Sequence, residues 1–342
     1  DDMGYSDLGC MGSEIETPNL DYLANNGLLM TNFYNAARCA PTRASLLTGL
    51  YQHQTGIGHM TGDRGYPSYQ GHLNKKCVTI AEALGMGGYQ TFMVGKWHVG
   101  SEKGSRPLDR GFDKLYGVPK GGGIYFHPFL IDRDVYLNDK KIENFPDDYY
   151  STEAFNTYAT RFISERANSN DPFFLYLAHI APHFPLQAPK EVIKNRYRQN
   201  FQKFRKQRFL RMKERGIVND ESTLSPPDQS VKDWEQLTSA EKDTAALKMA
   251  TYAAQIDVMD RGIGEIIKKL KETAEYKNTI IFFLSDNGSC RADVAPENRG
   301  ITERGPIGSW KCWKSYGPSW ANVSNTPYRL YKKYTHEGGV IT

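Results

Sequence analysis

Tyr89–Gly100 reads YQTFMVGKWHVG. Its first half, Tyr89 to Val94, is a near-continuous run of aromatic, β-branched and apolar residues. That pattern suits a parallel strand covered on both faces. Its second half turns abruptly to Gly95, Lys96, Trp97, His98 and Gly100. Two further runs share the first pattern: Phe173 to Ala178 (FFLYLA) and Thr279 to Leu284 (TIIFFL). Helical patterns lie between them. Thr79 to Leu84 precedes the first strand and ends in a glycine-rich break. Ser151 to Ala167 precedes the second. Before the third, Met249, Tyr252, Ala253, Ile256, Met259, Ile263, Ile266, Ile267 and Leu270 recur at intervals of three and four, the stripe of an amphipathic helix. Strands alternating with helices predict an α/β protein with a mainly parallel central sheet.

Composition narrows the class. The chain has 342 residues and a formal charge of +4, from 43 Lys plus Arg against 39 Asp plus Glu. It is long enough for a large core. No apolar run approaches the roughly 20 residues of a membrane-spanning helix. Near-balanced charge argues against a nucleic-acid partner. Lys190 to Arg215 does hold eleven Lys or Arg against two acids, but Tyr197, Phe201, Phe204, Phe209 and Met212 give it an apolar side, so it reads as a solvated amphipathic helix. The five cysteines (Cys10, Cys39, Cys77, Cys290 and Cys312) show no C-x-x-C pairing. That excludes a zinc ribbon and a dense disulfide framework and leaves one or two bridges open.

In an open parallel sheet, ligands gather outside the carboxyl ends of the strands. The residues that follow the three runs are Lys96 and His98, then His179 and His183, then Ser285, Asp286, Asn287 and Gly288. Any one of these is a common turn residue. Three strands delivering Lys, His, Asp and Asn to one edge point to an active site. Asp1 and Asp2, followed by Gly4, add two carboxylates. With Asp286 and Asn287 they offer an oxygen-only donor set, which favours Ca²⁺ or Mg²⁺ over zinc. The sharpest feature is Cys39-Ala-Pro-Thr-Arg43-Ala-Ser-Leu-Leu-Thr-Gly49. Pro41 suits the first turn of a helix and Gly49 its close. Cys39 then stands at the helix N-terminus, where free N–H groups and the dipole welcome an anion, and Arg43 lies one turn in.

Cys39-x-Pro41-x-Arg43 followed by Ala-Ser-Leu-Leu-Thr-Gly resembles the signature of the type I sulfatases, which share the alkaline-phosphatase-like three-layer α/β/α fold. Asp1 to Asp7 (DDMGYSD), GKWHVG, APHFP, SDNG and YKKYTHEGG match further elements of that family, in its order. The resemblance implies that residues 1–342 form a sulfatase catalytic domain, without its first strand and its smaller C-terminal subdomain. It implies a sulfuric-ester hydrolase acting on aryl or carbohydrate O-sulfates through a formylglycine-sulfate intermediate. Cys39 would be oxidised to formylglycine (3-oxoalanine) by a maturation enzyme. The hydrated aldehyde would attack sulfur with one hydroxyl, and the other would expel sulfate, so no water need attack sulfur.

Resemblance also assigns roles. One Ca²⁺ would be held by Asp1, Asp2, Asp286, Asn287 and the modified Cys39. Arg43 would fix the formylglycine and the carboxylates. His98 would be the base of the elimination step. Lys96 and Lys332, the latter five residues before Glu337, would cradle the sulfate, and His183 would protonate the leaving oxygen. An exported protein, periplasmic, secreted or lysosomal, is the corresponding location. A phosphomonoesterase or phosphonate monoester hydrolase of the same superfamily is the alternative, and a catalytically dead binding protein is the remaining one. Several residues are left between structural and substrate roles: His59, Asp63, His127, His179, His336, Trp310, Trp313 and Trp320.

Overall fold

The computed structural model describes residues 1–123, 125–126, 133–166, 169, 171–292 and 305–341. It divides into two compact units built from interleaved segments. One comprises Arg38–Ile180 and Gly262–Phe283. The other comprises Asp1–Ala37, Ala181–Arg261 and Leu284–Thr342.

The first unit holds the sheet. Strand β1 (Gln90–Lys96) lies at its centre, with β2 (Lys114–Val118) on one side and β5 (Phe173–Ala178) on the other, both parallel to it. The short strands β3 (Tyr136–Leu137) and β4 (Lys140–Lys141) extend the β2 side as an antiparallel hairpin, giving the order β4-β3-β2-β1-β5. Strand alternation assigns the two faces. Phe92 meets Phe162 of helix α4 (Ser151–Glu165), as Tyr116 meets Phe155 and Tyr158. Met93, Leu115 and Ala178 join Ala81 of α3 (Ile80–Met86) and Ala40, Ala44 and Leu47 of α2 (Cys39–Thr48) in the opposite core. Helices on both faces explain why β1 is apolar without alternation. A capping box starts α3: the Thr79 hydroxyl accepts from the Glu82 N–H, and Glu82 accepts from the Thr79 N–H.

One predicted strand is absent. Thr279 to Leu284 has no ladder partner among the described residues, and Ile280 and Phe282 are 82% and 78% exposed. An apolar run favours a strand, but a strand exists only where another pairs with it.

In the second unit, α5 (Phe201–Glu214) packs against α7 (Gly317–Ser324). Tyr197, Phe201 and Phe204 surround the buried Trp320. The expected amphipathic side of the basic stretch is therefore present. Its solvated side needs correction. Arg205 and Arg208 are fully buried, the first donating to the carbonyls of Ser225, Pro327 and Tyr328, the second ion-paired with Asp7 and Glu14. Helix α1 (Pro18–Asn25) is held by Asp260, which accepts from the Asn19 and Leu20 N–H groups.

The long helix α6 (Ser239–Glu272) contributes residues to both units, and all nine members of its predicted apolar stripe are buried. Within the first unit, Gly262 lies so close to the Asn156 amide that a Cβ there would collide with it. All five cysteines are free thiols, which closes the possibility of a bridge.

Candidate active site

The predicted site residues fall into two groups, one in each unit. In the sheet-bearing unit, α2 starts at Cys39, with Arg38 extended before it and Gly49 closing it at φ 67°. Pro41 and Gly49 thus do what their chemistry requires. Cys39 is buried at the helix head, and the Arg38 side chain does not cap that end. One turn on, the buried Arg43 Nη1 donates to the Lys96 carbonyl at 2.6 Å, which ties α2 to the end of β1. Lys96 is itself fully buried as the last residue of that strand.

Beyond it, Trp97 enters the core, its indole N–H donating to the Ser105 carbonyl at 2.9 Å. His98 has a left-handed backbone, φ 63°, and donates its N–H to the Pro119 carbonyl at 3.1 Å. Gly121 leaves no room for a side chain: a Cβ there would strike the His98 ring. His179 follows β5. Both of its buried ring nitrogens lack a hydrogen-bond partner among the described residues, and burial pulls its pKa down to about 3.

In the second unit, the loop Asp1–Asp7 meets the turn Ser285–Gly288 and the Lys332 segment. Asn287 Nδ2 donates to Asp2 Oδ1 at 2.8 Å, and Lys332 Nζ lies 2.5 Å from the same oxygen and 3.7 Å from Asp1 Oδ1. Its neighbour Lys333 is exposed. Lys332 is set by its own N–H bonding to the Ser289 carbonyl, and Glu337 folds the following loop by accepting from the N–H groups of Arg329, Leu330 and Gly339. His183 Nε2 stands 3.6 Å from Asp2 Oδ2. Its Nδ1 is 2.6 Å from the Phe184 carbonyl, which can only accept, so Nδ1 carries a proton. Burial opposes ionisation of Asp2, but Lys332 and His183 outweigh it and hold the carboxyl at about 2.

Ligand atoms of Asp1, Asp2 and His183 lie within 4.8 Å of one another. Asp286 is buried in the turn beside Asn287, outside that group. Two buried oxygens, Asp2 Oδ2 and Asn287 Oδ1, have no hydrogen-bond donor among the described residues. An anionic, oxygen-rich cluster with unsatisfied buried oxygens fits a hard divalent cation.

Three residues that sequence reasoning did not single out shape this group. Asn325 donates to the Leu330 and Gly339 carbonyls and accepts from the Ser289 N–H, holding the Lys332 segment. Asp7, read only as part of an acidic loop, faces inward and anchors it. Cys290 follows the SDNG turn, but burial, with Asp2, pushes its thiol up to about 11, so it stays protonated at neutral pH. A lone Asn and a lone Asp carried no distinguishing signal in the sequence. Trp320 is core, Trp313 packs on Phe184, and Trp310 is half-exposed. Asp63 caps its own turn by accepting from the Gly65 N–H, and His59 sits 3.0 Å from Arg64. His336 lies exposed against Tyr334. His127 lies outside the described residues.

Comparison with known proteins identifies a family and a fold. The sulfatase family profile matches residues 1–340. The arylsulfatase of Klebsiella aerogenes is 38% identical over 362 residues, covering 100% of this chain and 78% of its own. The crystal structure of Ps i-CgsB, also solved in complex with k-i-k-neocarrahexaose, superposes with a TM-score of 0.63 at 29% identity. That match covers 88% of this chain but 58% of the solved one, so the chain spans little more than half of that relative. The phosphonate monoester hydrolase of Agrobacterium radiobacter, at 19% identity and a TM-score of 0.52, shares the fold. No helix among the described residues is long and apolar enough to cross a membrane. With its profile match, its Klebsiella relative and its alkaline-phosphatase-like α/β fold, the chain belongs to the sulfatase family of sulfuric-ester hydrolases.

Proposed function

We propose that this protein releases inorganic sulfate from aryl or carbohydrate O-sulfate esters, with Cys39 as the site of its nucleophile. The observation that carries the reading is Cys39 at the head of α2, with Arg43 one turn on and tied to the Lys96 carbonyl. Oxidised to formylglycine by a maturation enzyme, residue 39 would supply a hydrated aldehyde whose hydroxyl attacks sulfur. Asp1, Asp2, Asp286 and Asn287 would hold a Ca²⁺ ion, which when bound supplies positive charge to polarise a sulfate oxygen.

The remaining chemistry belongs to side chains. Arg43 is a positioning residue, since its guanidinium is engaged with the β1 carbonyl. Lys96 and Lys332 balance the charge that develops on the sulfate oxygens. His183 keeps Nδ1–H on the Phe184 carbonyl, so its imidazolium form would deliver the Nε2 proton to the leaving oxygen and be left as the neutral imidazole. His98 removes a proton in the step that frees sulfate. Kinship supports an exported protein.

Sulfated sugars are the natural substrates in this reading, supported by the k-i-k-neocarrahexaose complex of Ps i-CgsB and by relatives that are N-acetylgalactosamine-6-sulfatases. Sulfate release measured by ion chromatography over 4-nitrophenyl sulfate, sulfated galactans and N-acetylgalactosamine 6-sulfate tests it. The expected outcome is sulfate from at least one glycan as well as from the aryl ester. Hydrolysis of aryl phosphate or phosphonate with no sulfate released from any of these would contradict it.

A further inference from the structure

Asp2 has φ 64°, a left-handed backbone that a non-glycine residue keeps only when its surroundings impose it. The source of that constraint lies beneath the loop. The buried Tyr252 hydroxyl, on α6, is 2.7 Å from Asp7 Oδ2 and 3.2 Å from the Asp2 carbonyl oxygen, so one proton serves both acceptors. Asp7 Oδ2 also accepts from the Gly4 N–H at 2.8 Å. Arg208, on α5, donates to Asp7 Oδ1 at 2.7 Å and to the Ser6 carbonyl at 3.1 Å, and Glu14 completes the balance of its charge. Four of the first seven residues are thus gripped by one buried network: Asp2, Gly4, Ser6 and Asp7. Tyr252 is fixed in turn by stacking on Tyr316, ring centroids 4.3 Å apart. Burial and the Asp7 carboxylate keep its hydroxyl protonated and able to donate.

None of Tyr252, Asp7 and Arg208 belongs to the group whose ligand atoms converge on Asp2. We infer that Tyr252, with Asp7 and Arg208, is a positioning unit that holds the Asp1–Asp2 carboxylates in the geometry needed to bind a divalent cation. The inference rests on the metal reading of that group given above. Outer partners that orient metal ligands commonly account for about 10- to 100-fold in affinity.

The test is calorimetric titration of the metal-free protein with CaCl₂, comparing wild type with Tyr252→Phe, which keeps the ring and its stack and removes only the hydroxyl. Asp7→Asn, similar in shape, weakens the same grip from the carboxylate side. Both variants should bind Ca²⁺ about 10-fold or more weakly. Excess Ca²⁺ should restore most of their lost turnover, whereas a purely structural defect would lower turnover at every calcium concentration. Wild-type calcium affinity in a folded Tyr252→Phe or Asp7→Asn protein would overturn the inference while leaving the metal reading intact. Absence of Ca²⁺ binding by the wild type would overturn both.

Discussion

His183 and His179 leave the same strand four residues apart and meet opposite fates. His183 is oriented by a carbonyl on one nitrogen and faces a carboxylate with the other. A general acid matters most when the leaving group is poor. His183→Ala should therefore slow release of sulfate from a sugar ester by about 100-fold or more, and from 4-nitrophenyl sulfate distinctly less. Equal losses on the two substrates would remove it from that role. His179 is buried with no hydrogen-bond partner among the described residues and a pKa of about 3. Because the unfolded chain binds a proton near pH 6.5 and the folded one does not, its contribution is present above pH 6.5. It is lost as pH falls toward 3, at up to about 1.4 kcal/mol per pH unit. Urea unfolding at pH 7 and pH 5 should show this slope in wild type and a shallower one in His179→Gln. A slope unchanged by the substitution would contradict the buried, neutral assignment.

Elements decide how much of the protein is legible from its residues. Helix α2 was legible from end to end, because Pro41 and Gly49 act locally. Strands β1 and β5 were legible because covered strands need continuous apolarity. Thr279 to Leu284 has the same composition and is no strand, since pairing is a property of a neighbour and not of the run itself. Arg205 and Arg208 were illegible for a related reason. An arginine reads as surface unless its buried partners are known, and Asp7 and Glu14 lie about 200 positions away in sequence.

Two predictions belong at this scale. Replacing Arg208 by Leu leaves Asp7 buried and unpaired, and should destabilise the protein by about 3–5 kcal/mol in urea unfolding; a loss under about 1 kcal/mol would show that the pair is not buried as described. Gly121→Ala should displace His98 and lower kcat, with some loss of melting temperature because alanine is strained at φ 73°. Retention of wild-type kcat would mean that His98 tolerates displacement.

At the scale of the whole molecule, a charge of +4 conceals strong local fields. Lys332 against Asp1 and Asp2, and Arg208 against Asp7 and Glu14, are opposed charges that cancel in the sum. The motifs that carried the family reading are separated by long stretches of chain, and their order was legible in the sequence. Their anchoring was not: the buried Asp7 and Asn325, and the contact of the Tyr252 hydroxyl with Asp7, follow from tertiary packing alone. The proposed reaction rests above all on residue 39. Mass spectrometry of the peptide that contains it, from protein made with a competent maturation enzyme, combined with sulfate release by wild type and Cys39→Ala, tests that claim most directly. A peptide about 18 Da lighter than its unmodified sequence is expected, the difference between CH₂SH and CHO, with loss of turnover by at least about a thousandfold in Cys39→Ala. An unmodified cysteine in fully active protein, or full sulfate release by Cys39→Ala, would contradict it.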